Sequence, residues 1–151
     1  MTVCFFGHRD APERIAPVLE RVLIELIEKE NADTFYIGNN GNFDTLAHLT
    51  LVKLLTRFPS IHCFTVLAYL PHEKAKNFPT ATAFATLYPE GLENVPPRFA
   101  ICGRNRWMLE NSNILVTYVT HTFGGAAHFK AQGARQGKRI VELSCLFPSL
   151  S

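Results

Sequence analysis

The sequence has few charged residues and no long apolar run. Charged residues make up 19% of its 151 residues, and the formal net charge is only +2. So small a charge does not indicate a nucleic-acid partner. No apolar run approaches the roughly 20 residues that cross a bilayer, and the short N-terminal run lacks the basic flank of a signal peptide. We therefore expect neither a membrane partner nor a nucleic-acid partner.

Cysteine is also scarce, and its spacing excludes the common metal and redox motifs. The four cysteines, Cys4, Cys63, Cys102 and Cys145, form no C-x-x-C pair. Three of them fall in or beside apolar, strand-like segments, which is typical of buried free thiols. We expect free thiols, no metal site and a reducing cytoplasm as the location.

Several motifs of cofactor-dependent and hydrolytic enzymes are missing as well. The sequence contains no Walker pattern, no G-x-G-x-x-G and no serine or cysteine nucleophile motif. The histidines do not have metal-ligand spacing. We predict no cofactor.

Apolar segments alternate between strand-like and helix-like patterns along the chain. Short apolar runs predict strands at 3–6, 34–37, 61–68, 84–87, 114–120 and 139–143. Amphipathic or apolar stretches predict helices at 15–27, 42–57, 99–111 and 126–136. The remainder of 69–100, which contains five prolines, is predicted to be loop. This order predicts an α/β fold in one domain, 1–151: a Rossmann-like parallel sheet of about five strands with helices on both faces.

Polar residues follow three of the predicted strands, at 7–10, 38–44 and 120–125. In a parallel sheet these loops meet at the carboxyl edge, where ligands bind beside the point at which strand order reverses. Such a concentration of polar groups on one edge predicts a ligand site.

Gly124 and Gly125 lie at a strand-to-helix turn within that edge. Glycine lets backbone N–H groups approach a ligand, and the N-terminus of a helix favours negative charge. The pair is a candidate phosphate site, although two glycines alone are also typical of a tight turn.

Arg9 and His8 follow the first strand. The Arg9 guanidinium is suited to bind a phosphate with two hydrogen bonds, or else to pair with Asp10 or Glu13. His8 is a candidate phosphate donor or acid–base group, or a turn histidine bonded to backbone.

Asp44 lies in the first turn of the predicted helix 42–57, after Gly41. Its carboxylate either complements the helix dipole or binds ribose hydroxyls, as acidic residues do in dinucleotide sites. Arg104 and Asn105 lie on the helix 99–111, with Arg104 on the same stripe as Ile101 and Met108. The Arg104 guanidinium must therefore be paired or point towards a ligand.

The order of these motifs resembles the SLOG superfamily, the Rossmann-like group that includes LOG and DprA proteins, and most of all its small stand-alone bacterial members. The motifs are GHR after the first strand, GNFD opening a helix, RNRWM on a later helix and GG after an apolar strand. The resemblance implies binding of a nucleotide or nucleotide-derived ligand. It assigns that role to Gly7, Arg9, Gly41, Asp44, Arg104, Asn105, Gly124 and Gly125.

One departure from that resemblance affects catalysis. LOG phosphoribohydrolases carry P-G-G-x-G-T-x-x-E, with the glutamate acting on the glycosidic bond. This sequence has Ala131 at the glutamate position. The favoured function is therefore a nucleotide-ligand sensor or binding module. The alternative is an enzyme that cleaves or transfers at an N-glycosidic bond, with Asp44 or Glu142 as its carboxylate. A nucleic-acid-associated role and a purely structural role are the remaining possibilities.

The predicted helix 42–57 is apolar nearly all round. Leu46, Leu49, Val52 and Leu54 cannot all face one sheet, which predicts a homodimer or higher oligomer. Burial beneath the 69–100 segment is the alternative.

Overall fold

Strands and helices alternate along the chain in the computed structural model, which describes residues 1–70 and 84–147. The strands are β1 (Thr2–Gly7), β2 (Thr34–Ile37), β3 (His62–Val66), β4 (Ala85–Leu87), β5 (Ile114–Tyr118) and β6 (Arg139–Glu142). The main helices are α1 (Ala16–Lys29), α2 (Asn42–Arg57), α3 (Ala100–Glu110) and α4 (Gly125–Arg135). Short 3-10 turns lie at Glu13–Ile15, Leu92–Asn94, Pro97–Phe99 and Leu143–Leu146. The part of the predicted loop at 71–83 lies outside the described residues.

All of these strands pair in parallel, in the order β4-β3-β2-β1-β5-β6. The α/β prediction is confirmed, but the sheet has six strands where about five were predicted. The short strand predicted at 84–87 is present as β4, whose three residues pair with β3 from Phe64↔Ala85 to Val66↔Leu87 and so add a sixth strand at one edge. The strand order reverses between β1 and β5, and the site is therefore expected where these two strands end.

The position of β1 inside the sheet explains why its sequence is apolar at every residue and does not alternate with polar residues. Val3 and Phe5 pack into the core on the face covered by α1 and α2. Cys4 and Phe6 pack on the opposite face, with residues of α3 and α4. A strand buried on both faces requires an apolar side chain at every position. Helices therefore cover both faces of the sheet, as predicted.

Helix α2 is less uniformly buried than its composition suggests. Leu46 and Leu54 are buried, whereas Leu49 is 57% exposed and Val52 is 36% exposed. Two of the four apolar positions therefore face away from the core of this chain. The homo-oligomer remains a prediction that these exposed side chains motivate.

All four cysteines are free thiols, as expected from their spacing. Cys4 and Cys63 are buried, and burial raises the pKa of each thiol to about 12. Within residues 1–70 and 84–147, no helix has the length and apolar character needed to cross a membrane.

Candidate functional site

A cleft of about 590 Å³ opens at the carboxyl edge of the sheet, where β1 and β5 end. Its volume lies within the range of small-molecule sites. Residues from the ends of β1 and β5 and from α2, α3 and α4 line it: Phe5, Phe6, Gly7, His8, Arg9, Asp10, Asn40, Asp44, Ile101, Arg104, Asn105, Met108, His121, Phe123, Gly124, Gly125 and Ala126. The topology thus brings segments from the beginning and the end of the chain to one place.

Eight of the nine predicted ligand-binding residues line this cleft. Gly41 does not, because the Arg9 backbone covers it: a Cβ atom at Gly41 would lie 2.6 Å from the Cα of Arg9. Packing also explains why residue 7 is a glycine, since a Cβ atom there would overlap the ring of Phe43. Whether these residues bind a ligand remains a prediction.

The N-terminus of α4 is open to the cleft. Gly124 is its N-cap, with φ 93° and ψ 172°, and no side chain caps the helix. The N–H of His128 donates to the carbonyl of Gly124 at 3.1 Å. Among the described residues, no acceptor is found for the N–H groups of the three residues before His128. A Cβ atom at Gly124 or Gly125 would meet nothing within 4 Å. Unpaired N–H groups and free space are the requirements of an anion site at a helix N-terminus.

The N-terminus of α2, in contrast, is partly occupied by the protein itself. The N–H of Asn42 donates to the carbonyl of Arg9 at 2.8 Å. The side chain of Asn42 donates to the carbonyl of Ala11. These bonds tie α2 to the loop after β1, so of these two helices α4 has the more open first turn.

Arg9 is exposed at the cleft. Its guanidinium forms no ion pair with any residue in the described ranges, so neither predicted pairing, with Asp10 or with Glu13, is present. A guanidinium left available in this way, in the same cleft as an open helix N-terminus, is suited to bind a phosphate.

Arg104, by contrast, is almost completely buried and is held by polar partners. Its Nε donates to Oδ1 of Asn105 at 2.7 Å. Nη1 donates to Oδ1 of Asn39 at 3.2 Å and to the carbonyl of Val66 at 3.1 Å. Nη2 donates to Oδ1 of Asn40 at 3.0 Å. Four of the five N–H donors of this guanidinium are therefore engaged, and its main role within the chain is to fix the 39–40 loop.

Asp44 fixes the same loop from the other side. Its Oδ2 accepts a hydrogen bond from the N–H of Asn40 at 2.9 Å. Burial raises the pKa of Asp44 to about 6, although the Asn40 N–H and the positive charge of Arg104 act in the opposite direction. Gly38 separates the two charged groups: a Cβ atom there would lie 2.8 Å from Oδ2 of Asp44 and 2.9 Å from Nη1 of Arg104. A carboxyl with a raised pKa in a cleft is typical of functional sites.

His8 joins the two loops at the point where strand order reverses. Its Nε2 accepts a hydrogen bond from the N–H of Thr120 at 2.8 Å, and its own backbone N–H donates to the carbonyl of Tyr118. His8 is therefore a turn histidine bonded to backbone, the second of the two roles considered for it. Because Nε2 accepts this hydrogen bond, it does not carry a proton to donate to a phosphate. Burial, together with the neighbouring His121, lowers the pKa of His8, which favours the neutral form that this hydrogen bond requires.

Three rings stack from His8 to the mouth of the cleft. The rings of His8 and His121 are 3.7 Å apart and inclined by 12°. The rings of His121 and Phe123 are 3.9 Å apart and inclined by 18°. We call these three residues the ring stack. Its outer member, Phe123, is 70% exposed.

Glu142, the second carboxylate considered for catalysis, is unsuited to that role. It does not line the cleft. Its two oxygens accept hydrogen bonds from the Thr117 hydroxyl, the backbone N–H groups of Val119 and Ser144, and Nζ of Lys130 at 2.9 Å. These donors keep the pKa of Glu142 below its ordinary value despite burial. Glu142 therefore stabilises the end of β5, and Asp44 is the remaining candidate of the two.

Several residues that line or support the cleft were not singled out from the sequence. Asn39 and Asn40 have their role only because Arg104 approaches from a helix more than 60 residues away. The G-N-N-G run next to Asp44 was a usable signal, because glycine and asparagine at a strand end are typical of shaped loops. Nothing in the sequence marks Phe123 as exposed, since phenylalanine is a common core residue.

Comparison with solved structures finds the same fold in DNA processing protein A (DprA) from Streptococcus pneumoniae. The TM-score is 0.67 at 18% sequence identity, over 92% of this chain and 48% of the DprA chain. This chain therefore spans about half the length of that protein. No protein-family model matches the chain, and no curated protein matches it. The likeness shows a DprA-like, Rossmann-like α/β fold.

Proposed function

We propose that this protein binds a nucleotide or nucleotide-derived ligand in the cleft, as a sensor or binding module of the SLOG type. The observation that carries the proposal is the open N-terminus of α4 beside Arg9. Three backbone N–H groups without acceptors in the described residues, a positive helix terminus and a guanidinium outside any described ion pair favour a phosphate. The position of these groups, where β1 and β5 end, is the usual ligand site of such sheets.

We place the sugar against the part of the cleft wall that Asp44 and Asn40 line. We propose that the carboxylate of Asp44 accepts hydrogen bonds from ribose hydroxyls. The Asn40 N–H and Arg104 hold this wall in place before a ligand arrives, which reduces the ordering cost of binding. The phosphate and the sugar would then contact different elements, with the phosphate at α4 and the sugar at α2.

The resemblance of the GHR, GNFD, RNRWM and GG motifs to SLOG proteins supports the same assignment, and the DprA-like fold is consistent with it. The fold alone does not define a function. DprA is, by its name, a DNA processing protein, but the net charge of +2 gives no support for nucleic-acid binding by this chain. If an oligonucleotide does bind, the salt dependence of its affinity reports how many phosphates the protein contacts.

Native mass spectrometry of freshly purified protein, followed by extraction of bound small molecules, tests the proposal and identifies the base. Calorimetry with the identified compound then compares Arg9→Ala and Asp44→Asn with wild type. We expect both variants to bind more weakly, since Arg9 contacts phosphate and Asp44 contacts ribose. If both bind the extracted compound as tightly as wild type does, the cleft is not its site.

One observation favours an enzyme as the second candidate. The pKa of Asp44, about 6, would let its carboxyl exchange a proton near neutral pH. Such a group could assist cleavage of an N-glycosidic bond. Against this, Ala131 is exposed and lies outside the cleft lining, so the helix that carries the LOG glutamate offers no carboxylate there.

A further inference from the structure

We infer that Phe123 is the base-stacking residue of this site and that the ligand is a mononucleotide with a planar heterocyclic base. The inference rests on the proposed function, which places phosphate at α4. It adds the chemical class of the other end of the ligand and the residue that selects it.

The ring stack is held rigidly from its inner end. His8 is fixed by the hydrogen bond from the Thr120 N–H to Nε2 at 2.8 Å. His121 lies flat on His8, and its Nδ1 is 3.0 Å from the carbonyl oxygen of Phe123. The rings of His121 and Phe123 then lie nearly parallel. The Phe123 ring is thus stacked on a neighbour before any ligand binds, and a ring that already has its orientation loses less conformational entropy on binding.

One face of the Phe123 ring is covered, and the remainder of the side chain is open. His121 covers one face at 3.9 Å, yet the residue is 70% exposed and lines the cleft. A nucleobase placed on the open face would become the fourth ring of the stack. Stacking on an aromatic side chain accepts any base, because every base has a π face.

Phe123 also lies at the right place for a nucleotide. It directly precedes Gly124, and consecutive Cα atoms are about 3.8 Å apart. The ring and the open N–H groups of α4 are therefore within the length of a single nucleotide. A phosphate alone or a sugar phosphate would use the helix terminus and leave the ring bare, which is the basis for distinguishing these ligands.

A mononucleotide suits the site better than a single strand of nucleic acid. Proteins that bind single strands combine several stacking rings with a positively charged groove along the backbone. Here the stack offers one open ring, the cleft holds about 590 Å³ and the net charge is +2.

Calorimetry with AMP, GMP, CMP, UMP and ribose 5-phosphate tests the inference on wild type, Phe123→Ala, Phe123→Tyr and Phe99→Ala. Phe99 is the matched control, since it is 49% exposed but lies outside the cleft lining. We expect Phe123→Ala to weaken the tightest of the four nucleotides by about 5- to 100-fold. Its affinity for ribose 5-phosphate should stay within about twofold of wild type, because stacking contributes nothing to that ligand. Phe123→Tyr and Phe99→Ala should bind like wild type.

The other outcomes separate this inference from the proposed function. If Phe123→Ala leaves nucleotide affinity unchanged, or weakens the nucleotide and ribose 5-phosphate equally, Phe123 does not stack on a base although the phosphate site stands. Wild type that binds ribose 5-phosphate but none of the nucleotides also overturns the inference alone. Wild type that binds none of these compounds overturns the inference, and extraction of no nucleotide-derived compound from the purified protein overturns the proposed function as well. Tighter binding of an eight-residue oligothymidylate than of TMP, with steep salt dependence, would replace the mononucleotide by a single strand.

Discussion

Gly41 and Gly124 have the same backbone conformation, with φ 92° and ψ 173° at Gly41 and φ 93° and ψ 172° at Gly124. Each is the N-cap of a helix at the carboxyl edge of the sheet. The backbone of Arg9 packs against Gly41 and accepts a hydrogen bond from the first N–H of its helix, whereas Gly124 faces open space. The same turn is therefore packed at one position and open at the other.

This relationship predicts different costs for the same substitution. Alanine in this region of φ and ψ is strained by about 1 to 3 kcal/mol, so both Gly41→Ala and Gly124→Ala should lower the free energy of unfolding. Gly41→Ala should cost more, because its Cβ would lie 2.6 Å from the Cα of Arg9. Urea denaturation measures both values. Equal losses for the two variants would mean that the contact with Arg9 relaxes without cost.

A second prediction concerns the free energy of unfolding of Asp44→Asn as a function of pH. The folded protein raises the pKa of Asp44 from 3.8 to about 6, so the ionised carboxylate destabilises the fold. The contribution of Asp44 to the free energy of unfolding is fully favourable only below pH 3.8, and it is lost as the pH rises through about 6. Asp44→Asn should therefore be more stable than wild type by about 1 to 2 kcal/mol at about pH 8, after allowance for partial exposure.

That gain should nearly vanish close to about pH 4, where wild type also carries a neutral side chain. Urea denaturation at several pH values between these limits gives the curve. A variant that is less stable than wild type at the alkaline limit would show that Asp44 serves the fold, through Asn40 and Arg104, more than it serves a ligand.

His8 should give a pH dependence of the opposite sign. The folded protein lowers its pKa from 6.5, so its contribution to stability is present above pH 6.5 and is lost as the pH falls through the lower, folded value. Protonation of Nε2 would also remove the acceptor of the Thr120 N–H. In His8→Gln an amide oxygen can replace that acceptor, and it does not titrate.

We expect wild type to lose stability between about pH 8 and about pH 5.5 more steeply than His8→Gln. Thermal unfolding of both proteins across this range compares the slopes. Asp10, Glu142 and His121 act on the charge of His8, and they are present in both proteins, so the difference between the curves isolates His8. Parallel curves would mean that the bond between the loops does not depend on the protonation of His8.

Much of the fold could be predicted because local patterns and tertiary packing agree. The apolar run at 3–6 predicted a strand in a sheet with helices on both faces, and both faces of β1 are indeed covered. The amphipathic pattern at 15–27 predicted a helix, and in α1 the residues Val18, Leu19, Val22 and Leu23 are buried at helical spacing. The short strand predicted at 84–87 is also present as β4, and its pairing with β3 makes it the sixth strand of a sheet for which about five were predicted.

The candidate site was less predictable, since its roles depend on contacts between distant segments. Arg104 is engaged by Asn39 and Asn40, whereas the side chain of Arg9 has neither an ion pair nor a hydrogen bond with any of the described residues. Sequence spacing cannot distinguish these two arginines. Nor can it show that the loop carrying Phe123 turns the ring outwards onto His121.

A further prediction is that hydrolysis of nucleoside monophosphates is absent or very slow. The LOG-type glutamate position is Ala131, and the oxygens of Glu142 are occupied by the donors around it. Chromatography of released base from purine and pyrimidine monophosphates tests this. Fast turnover that Asp44→Asn abolishes but His8→Ala retains would establish Asp44 as a catalytic carboxylate and the protein as an enzyme.

Calorimetric titration of the tightest-binding nucleoside monophosphate into wild type and Gly125→Val tests the central claim, a phosphate on the first turn of α4. The added side chain has room, since a Cβ atom at Gly125 meets nothing within 4 Å, so the variant should fold. Ala134→Val, on an exposed position near the other end of α4, is the control for the cost of valine in this helix. We predict wild-type affinity for Ala134→Val and a loss of about 10- to 100-fold for Gly125→Val, the range expected for hydrogen bonds to a charged group. Unchanged affinity in a folded Gly125→Val protein would contradict the account.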